Sequence, residues 1–119
     1  MMIRDLHDCK EFIAGDSAIL REYLHPDKQD VEIRYSLAHA KVLPSQSTKP
    51  HKLATTEVYY ILAGRGLMCV NDECHEVSDG QVVYIPAAAT QCIKNIGTTD
   101  LKFLCIVDPA WRSEDEIIV

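Results

Sequence analysis

His51 and Glu57 are the residues of this chain whose types and spacing can do chemistry together. Read as one extended strand, His51, Leu53, Thr55, Glu57, Tyr59 and Ile61 alternate onto a single face. An imidazole and a carboxylate on the inner face of a barrel strand are costly to bury unless they are paired or bound to a cation. A later polar residue on a neighbouring strand could close such a site, and Gln91, beyond the Pro86 bend, is the candidate. Tyr59 points to the same side and offers a hydroxyl to the pocket; a tyrosine that fills the barrel with its hydroxyl at the rim is the alternative. Phe103 and Cys105 alternate on the last strand and could line the same space, with simple packing as the competing role. A Cys105 thiolate ligand would favour zinc.

The elements that must position these residues read as short strands. Residues 18–25 alternate, with Ala18, Leu20 and Leu24 on one face, and residues 26–30 form a turn. Residues 31–42 also keep period two, with Val31, Ile33, Tyr35, Leu37 and His39 sharing a side. A polar loop between Pro44 and Pro50 precedes the central stretch, whose residues 55–63 are rich in β-branched and aromatic side chains. Further strands are expected over 67–70, 74–77, 81–85, 91–96 and 101–107. Asn71-Asp72 is a two-residue hairpin signal, which sets Cys69 opposite Cys74 in a pair that a disulfide could bridge. Turn signals every eight to twelve residues argue an all-β sandwich or barrel. Two strands, 59–62 and 101–107, are apolar on nearly both faces, so both faces need cover.

Composition narrows the function classes. At 119 residues the chain has the size of one domain, with a barrel core over about 18–107, an N-terminal arm over 1–17 and a tail over 108–119. Its formal net charge is -6, and no Lys and Arg cluster offers a footprint for phosphate, so a nucleic-acid partner is not expected. No apolar run is long enough to span a membrane, and the charged N-terminus lacks a signal-peptide core. Five cysteines without a CxxC pair suggest a cytoplasmic protein with reduced thiols, Cys69 and Cys74 included. The Glu114-Asp115-Glu116 run reads as a solvated face or the first turn of a short helix.

The central residues carry a resemblance. His51, Leu53, Glu57 and Gly64 stand at the spacing of the pattern H-x-H-x-x-x-E-x-x-x-x-x-x-G. Gly80, Pro86, Ala88, Gln91 and Asn95 stand at the spacing of G-x-x-x-x-x-P-x-G-x-x-H-x-x-x-N. These are the two motifs of the cupin superfamily, and the chain resembles a small single-domain cupin. The resemblance implies a double-stranded β-helix, a jelly-roll barrel of two antiparallel sheets, and a homodimer. It also implies a divalent metal, zinc, manganese, nickel or iron, held by two histidines and a glutamate from the first motif and a histidine from the second. Here Leu53 replaces one histidine and Gln91 another. The ligand set that survives is His51, Glu57, Gln91 and water, richer in oxygen than the usual one.

Two functions are therefore expected to compete. The first is a pocket inside the barrel, lined by Tyr59, Leu53, Ile61 and Phe103, that binds a small polar molecule with or without the metal. The second is a metal-dependent enzyme of the isomerase or lyase type acting on a sugar or small keto acid, with Glu57 or His51 as base.

Overall fold

The computed structural model describes residues 1–119. Eleven strands build two antiparallel sheets. The first sheet orders its strands β1 (Glu11–Ile13), β2 (Ile19–Leu24), β3 (Ser36–Val42), β10 (Leu101–Asp108), β5 (Thr56–Ala63) and β8 (Val82–Ile85). The second orders β11 (Glu116–Ile118), β4 (His51–Leu53), β9 (Thr90–Asn95), β6 (Arg65–Val70) and β7 (Glu73–Ser78). This is the expected all-β jelly roll of two antiparallel sheets. The two ends of the chain add a strand to each sheet: β1 borders β2, and β11 borders β4. Short 3-10 turns at Leu6–Asp8 and Ser113–Asp115 lead into them.

Three local expectations change. The stretch from His51 to Ile61 is two strands, β4 and β5, that belong to opposite sheets. The chain bends between them at Ala54 and Thr55, where Ala54 N–H is bound by Asp115 O and the Thr55 hydroxyl is buried without a partner. Because the sheets face each other, His51, Leu53, Glu57, Tyr59 and Ile61 still point into one interior. The strand expected over residues 31–42 begins only at Ser36, and its buried face is the other one. Ser36, Ala38, Ala40 and Val42 are buried, while Leu37 and His39 lie on the outer surface of the sheet. Small residues leave room inside the barrel, and the larger ones flank Ile106 and Leu104 of β10 outside. Cys69 and Cys74, expected to be reduced, are bonded across the β6–β7 hairpin with a Cα separation of 4.1 Å. Asn71-Asp72 forms the two-residue loop between them, with Asn71 at φ 52°.

The closed core packs Ile61, Ile85, Ile93, Leu101 and Phe103 between the sheets. The motif positions have structural reasons here. Gly64 turns β5 into β6 at φ 92°, and a Cβ on it would meet the Asp100 carbonyl at 2.8 Å. Ala88 stands where the motif has glycine and adopts φ 65°, a conformation that costs an L residue about 1 kcal/mol. Its N–H reaches Leu53 O at 2.7 Å, which fastens the Pro86 bend to β4. Asn95 is fully buried; its amide donates to Val42 O (2.9 Å) and Thr99 O (2.8 Å) and accepts from Gly97 N–H (2.9 Å). It thus ties three chain segments at the closed end of the barrel. Asn95→Ala removes all three bonds and leaves buried backbone groups unpaired, so urea melts should show a loss of about 3 kcal/mol.

Candidate functional site

Register across β3, β10 and β5 fixes what the barrel interior offers. Ser36, Val107 and Glu57 form one inward row, Ala38, Cys105 and Tyr59 the next, and Ala40, Phe103 and Ile61 the third. β2 extends these rows with Glu22 opposite Ala38 and Leu20 opposite Ala40. Alanines in the middle rows leave a cavity of about 290 Å³, and residues of β1, the following turn and the C-terminal segment wall it. Most of its wall is apolar, from Ala38, Leu53, Phe103 and Val107 among others. Its acidic side chains are Asp16, Glu22, Glu57 and Glu116, beside the single imidazole of His51, and neither Lys nor Arg lines it.

A buried hydrogen-bond chain crosses between the sheets beside this cavity. Tyr59 Oη donates to Gln91 Oε1 at 2.9 Å, and Gln91 Nε2 donates to Glu57 Oε1 at 3.0 Å. Glu57 and Tyr59 are on β5, and Gln91 is on β9. Tyr59 also stacks at a tilt on Phe103, with ring centroids 4.4 Å apart. Burial pushes the Glu57 carboxyl up to about 8; the Gln91 hydrogen bond opposes this, and the nearby Asp16 and Glu116 add to it. Burial also raises the Tyr59 hydroxyl and the Cys105 thiol well above their ordinary values. Near neutral pH Glu57 therefore holds a proton, and the chain from Tyr59 to Glu57 is uncharged.

His51, Asp16 and Glu116 converge on another part of the wall. Their donor atoms lie within 4.8 Å of one another. His51 Nδ1 donates to Lys49 O at 2.8 Å, which turns Nε2 toward Asp16 Oδ2 at 3.4 Å. Asp16 is held by its other oxygen, which accepts Ala18 N–H at 3.0 Å. Glu116 sits on β11 opposite Leu53, and its carboxyl is raised by burial and by Asp16 while His51 pulls it down.

The expected site residues are distributed as follows. His51, Leu53, Glu57, Tyr59 and Phe103 all face the cavity. Ile61 lies in the closed core with no exposure and takes no part in the cavity wall. Gln91 is 1% exposed, pairs with His51 across β4 and β9, and stays behind the wall. Leu53 has no donor atom, and both polar atoms of Gln91 are committed to Tyr59 and Glu57. Sequence reasoning passed over Asp16, read as part of a turn, and Glu116, read as a solvated acid. It also passed over Glu22, although alternation with Leu20 and Leu24 puts Glu22 on the inner face.

Comparison with known proteins agrees with this architecture. The family model for the cupin domain matches residues 38–107. An uncharacterized protein of Methanocaldococcus jannaschii is 42% identical over 111 residues, spanning 92% of this chain and 88% of that one. An oxalate-binding protein of Thermotoga maritima is 34% identical over 71 residues, 59% of each chain. The crystal structure of a predicted oxalate decarboxylase, also from Thermotoga maritima, superposes with a TM-score of 0.79 at 22% identity, covering 91% of this chain and 99% of that one. At that identity the superposition speaks for the fold.

The state of Glu57 has a measurable consequence. A carboxyl whose folded pKa lies above its unfolded one keeps a proton that the unfolded chain has released. Its contribution to stability is full below the unfolded value of 4.5 and is lost as pH rises toward about 8. The slope is at most about 1.4 kcal/mol per pH unit. In chelator-treated protein, thermal melts across this window should show that loss for the parent chain. Glu57→Gln keeps an oxygen for Gln91 and carries no charge, so its melting temperature should fall less with rising pH.

Proposed function

The chain belongs to the cupin domain family, and on that footing we propose that it binds a small, uncharged or cationic organic molecule inside the barrel. The observation that carries this reading is the cavity itself. It has about 290 Å³ of space, mostly apolar walls and a set of carboxyl groups with no Lys or Arg in its lining. That volume is worth roughly ten waters, which suits a ligand the size of a monosaccharide or a small ring. Carboxyl groups accept or share hydrogen bonds with hydroxyls and amines, and the apolar wall covers the ligand's carbon face. A free dianion such as the oxalate bound by the Thermotoga maritima relative meets Asp16 and Glu116 with one imidazole in support, and a Glu22 whose charge Lys28 already pairs. A divalent cation in the cavity, zinc, manganese, nickel or iron, is part of the reading and would let a carboxylate enter as its ligand.

A second reading, an isomerase or lyase acting on a sugar or keto acid, is favoured by one specific observation. Two acids of the same cavity sit in different surroundings: Glu57 is buried against the uncharged Gln91 and Tyr59, and Asp16 faces the His51 imidazole. Carboxyls set apart in this way can serve as proton donor and proton acceptor across a bound substrate.

The proposal extends to a homodimer in the cytoplasm. Two rows on the outer face of the first sheet, Leu37–Ile106–Val58–Tyr84 and His39–Leu104–Tyr60–Val82, make an apolar patch four strands wide. Tyr84 is 62% and Val82 60% exposed in the single chain, so a second copy of this face is the occupant that the patch fits. Three unpaired thiols, Cys9, Cys92 and Cys105, agree with a cytoplasmic setting, where the Cys69–Cys74 bond would be held open. No helix is long and apolar enough to cross a membrane.

Ligand screening by thermal shift tests the pocket. Neutral polyols and small amines should raise the melting temperature of metal-free protein, and oxalate should not. Ala38→Leu fills the cavity from β3, so it should remove those shifts while leaving the protein folded. Equal shifts in Ala38→Leu and the parent would sink the pocket. Light scattering on a size-exclusion column tests the dimer: the parent should run as two chains and Tyr84→Glu as one folded chain. A parent that runs as a monomer at micromolar concentration would remove the dimer from the reading.

A further inference from the structure

The polar groups of the cavity wall do not all have partners. Lys49 O can only accept a hydrogen bond, so the proton of a neutral His51 ring sits on Nδ1, and Nε2 presents a lone pair. That lone pair faces Asp16 Oδ2, a second acceptor, at 3.4 Å, and no hydrogen bond joins them. The His51 side chain is 3% exposed and the Asp16 side chain 12%, and both acceptors face the cavity rather than the outer surface. A hydrogen-bond donor or a cation belongs there. A proton alone would make an ion pair, and a charge-assisted N–H···O bond closes to about 2.7–2.9 Å. The observed gap is wider. It matches two ligands of one tetrahedral ion, which at about 2.1 Å from the metal stand about 3.4 Å from each other.

A third donor converges from the far end of the chain. β11 pairs with β4 so that Glu116 lies opposite Leu53, and Glu116 Oε2 is 3.5 Å from the point that a Cβ on Gly15 would occupy. The carboxylate thus lies over the turn that carries Asp16. The support around these donors is already built. Lys49 N–H donates to Asp16 O at 2.7 Å while Lys49 O fixes the His51 ring, so one residue sets the position of two donors. The free Asp16 oxygen is aimed by the bond from Ala18 N–H to its partner oxygen. An imidazole oriented by a backbone carbonyl is the usual support of a metal ligand.

We propose that Asp16 Oδ2, His51 Nε2 and a Glu116 carboxylate oxygen form a divalent-cation site on the wall of the cavity, replacing the ligand set of the two sequence motifs. The inference rests on the reading of the barrel as a ligand pocket that takes a cation, and it names the residues. Two of the three ligands come from the terminal segments, outside residues 51–95. One imidazole with two carboxylates suits zinc or manganese. All three ligands line the cavity, so the remaining coordination positions open into it. The ion would take a carboxylate or hydroxyl oxygen of the organic ligand there, which the metal-free wall does not favour. It would also clasp the N-terminal turn and β11 onto β4.

Calorimetric titration of chelator-stripped protein with zinc and with manganese tests this. Hydrogen exchange with and without the ion accompanies it. The parent should bind about one ion per chain. Asp16→Asn keeps the bond from Ala18, and Glu116→Gln keeps the strand; each should weaken binding by at least about tenfold. Glu57→Gln should bind within about threefold of the parent. In the parent, the ion should slow exchange over residues 14–18 and 114–118, and this slowing should vanish in Asp16→Asn. Binding that is lost in Glu57→Gln and kept in Asp16→Asn overturns the proposed ligand set and leaves a cation in the pocket. A parent that binds neither ion overturns both. Should a variant fail to fold, the exchange measurement on the parent decides: an ion that binds without slowing the two terminal segments rules out the clasp.

Discussion

The uncharged bridge from Tyr59 through Gln91 to Glu57 is the constraint on which the interior depends. It joins the two sheets by buried side chains. Removing any one member would leave the next buried polar group without its partner, a loss of roughly 1–3 kcal/mol for each orphaned group. The bridge also divides the interior. On one side Ile61, Ile85, Ile93 and Leu101 pack into one buried cluster. On the other, Glu57 and Tyr59 face the cavity, and alanines on β3 keep it open. The open side is therefore a pocket whose back wall is fixed by directional bonds, while its front wall is made by the two ends of the chain.

That division explains what could be read from the sequence. The barrel was legible because each strand keeps period two, the turns carry Gly, Pro, Asn or Asp, and two motifs agree in order and spacing. Glu57, Tyr59 and His51 were legible as inward polar residues because alternation is a local property. The split between β4 and β5 was not, since a bend at Ala54-Thr55 leaves the inward parity of the flanking residues unchanged. The face of β3 was misjudged for a related reason. Hydrophobic size favours the side of Leu37 and Tyr35, yet the interior needs small residues there, and the bulk packs outside beside β10. Cys69 and Cys74 were placed correctly opposite each other by the hairpin, but register alone does not decide whether two facing thiols are bonded.

Asp16 and Glu116 were illegible for a different reason. Nothing within a few residues of either distinguishes it from a surface acid. Asp16 lies in a Gly-Asp-Ser turn and Glu116 ends an acidic run. Their meaning comes from contacts of long range: Lys49 with Asp16, and β11 with β4. Such pairings have no periodicity that a single sequence displays. The alternating Glu22 is the exception, and its inward charge is met by Lys28 Nζ at 2.6 Å.

The two departures from the family's motifs, Leu53 and Gln91, make sense as one change. Without a metal on the motif positions, a buried Glu57 carboxylate would have neither cation nor donor, and burial would make it costly. Gln91 supplies a neutral donor to Glu57 and accepts the Tyr59 hydroxyl, which a histidine ligand turned toward a metal could not do for both at once. Leu53 then fills apolar wall where an imidazole would have lacked its ion. His51 keeps its place because its ring is held by Lys49 and faces Asp16, not Glu57. The polar chemistry of the barrel has thus separated into two parts: an uncharged bridge that holds a proton on Glu57, and an imidazole with two carboxylates facing the same cavity. A conventional four-ligand centre binds these functions to one ion. Here they face one cavity from different strands, coupled through the charges of Asp16 and Glu116 that help keep the proton on Glu57.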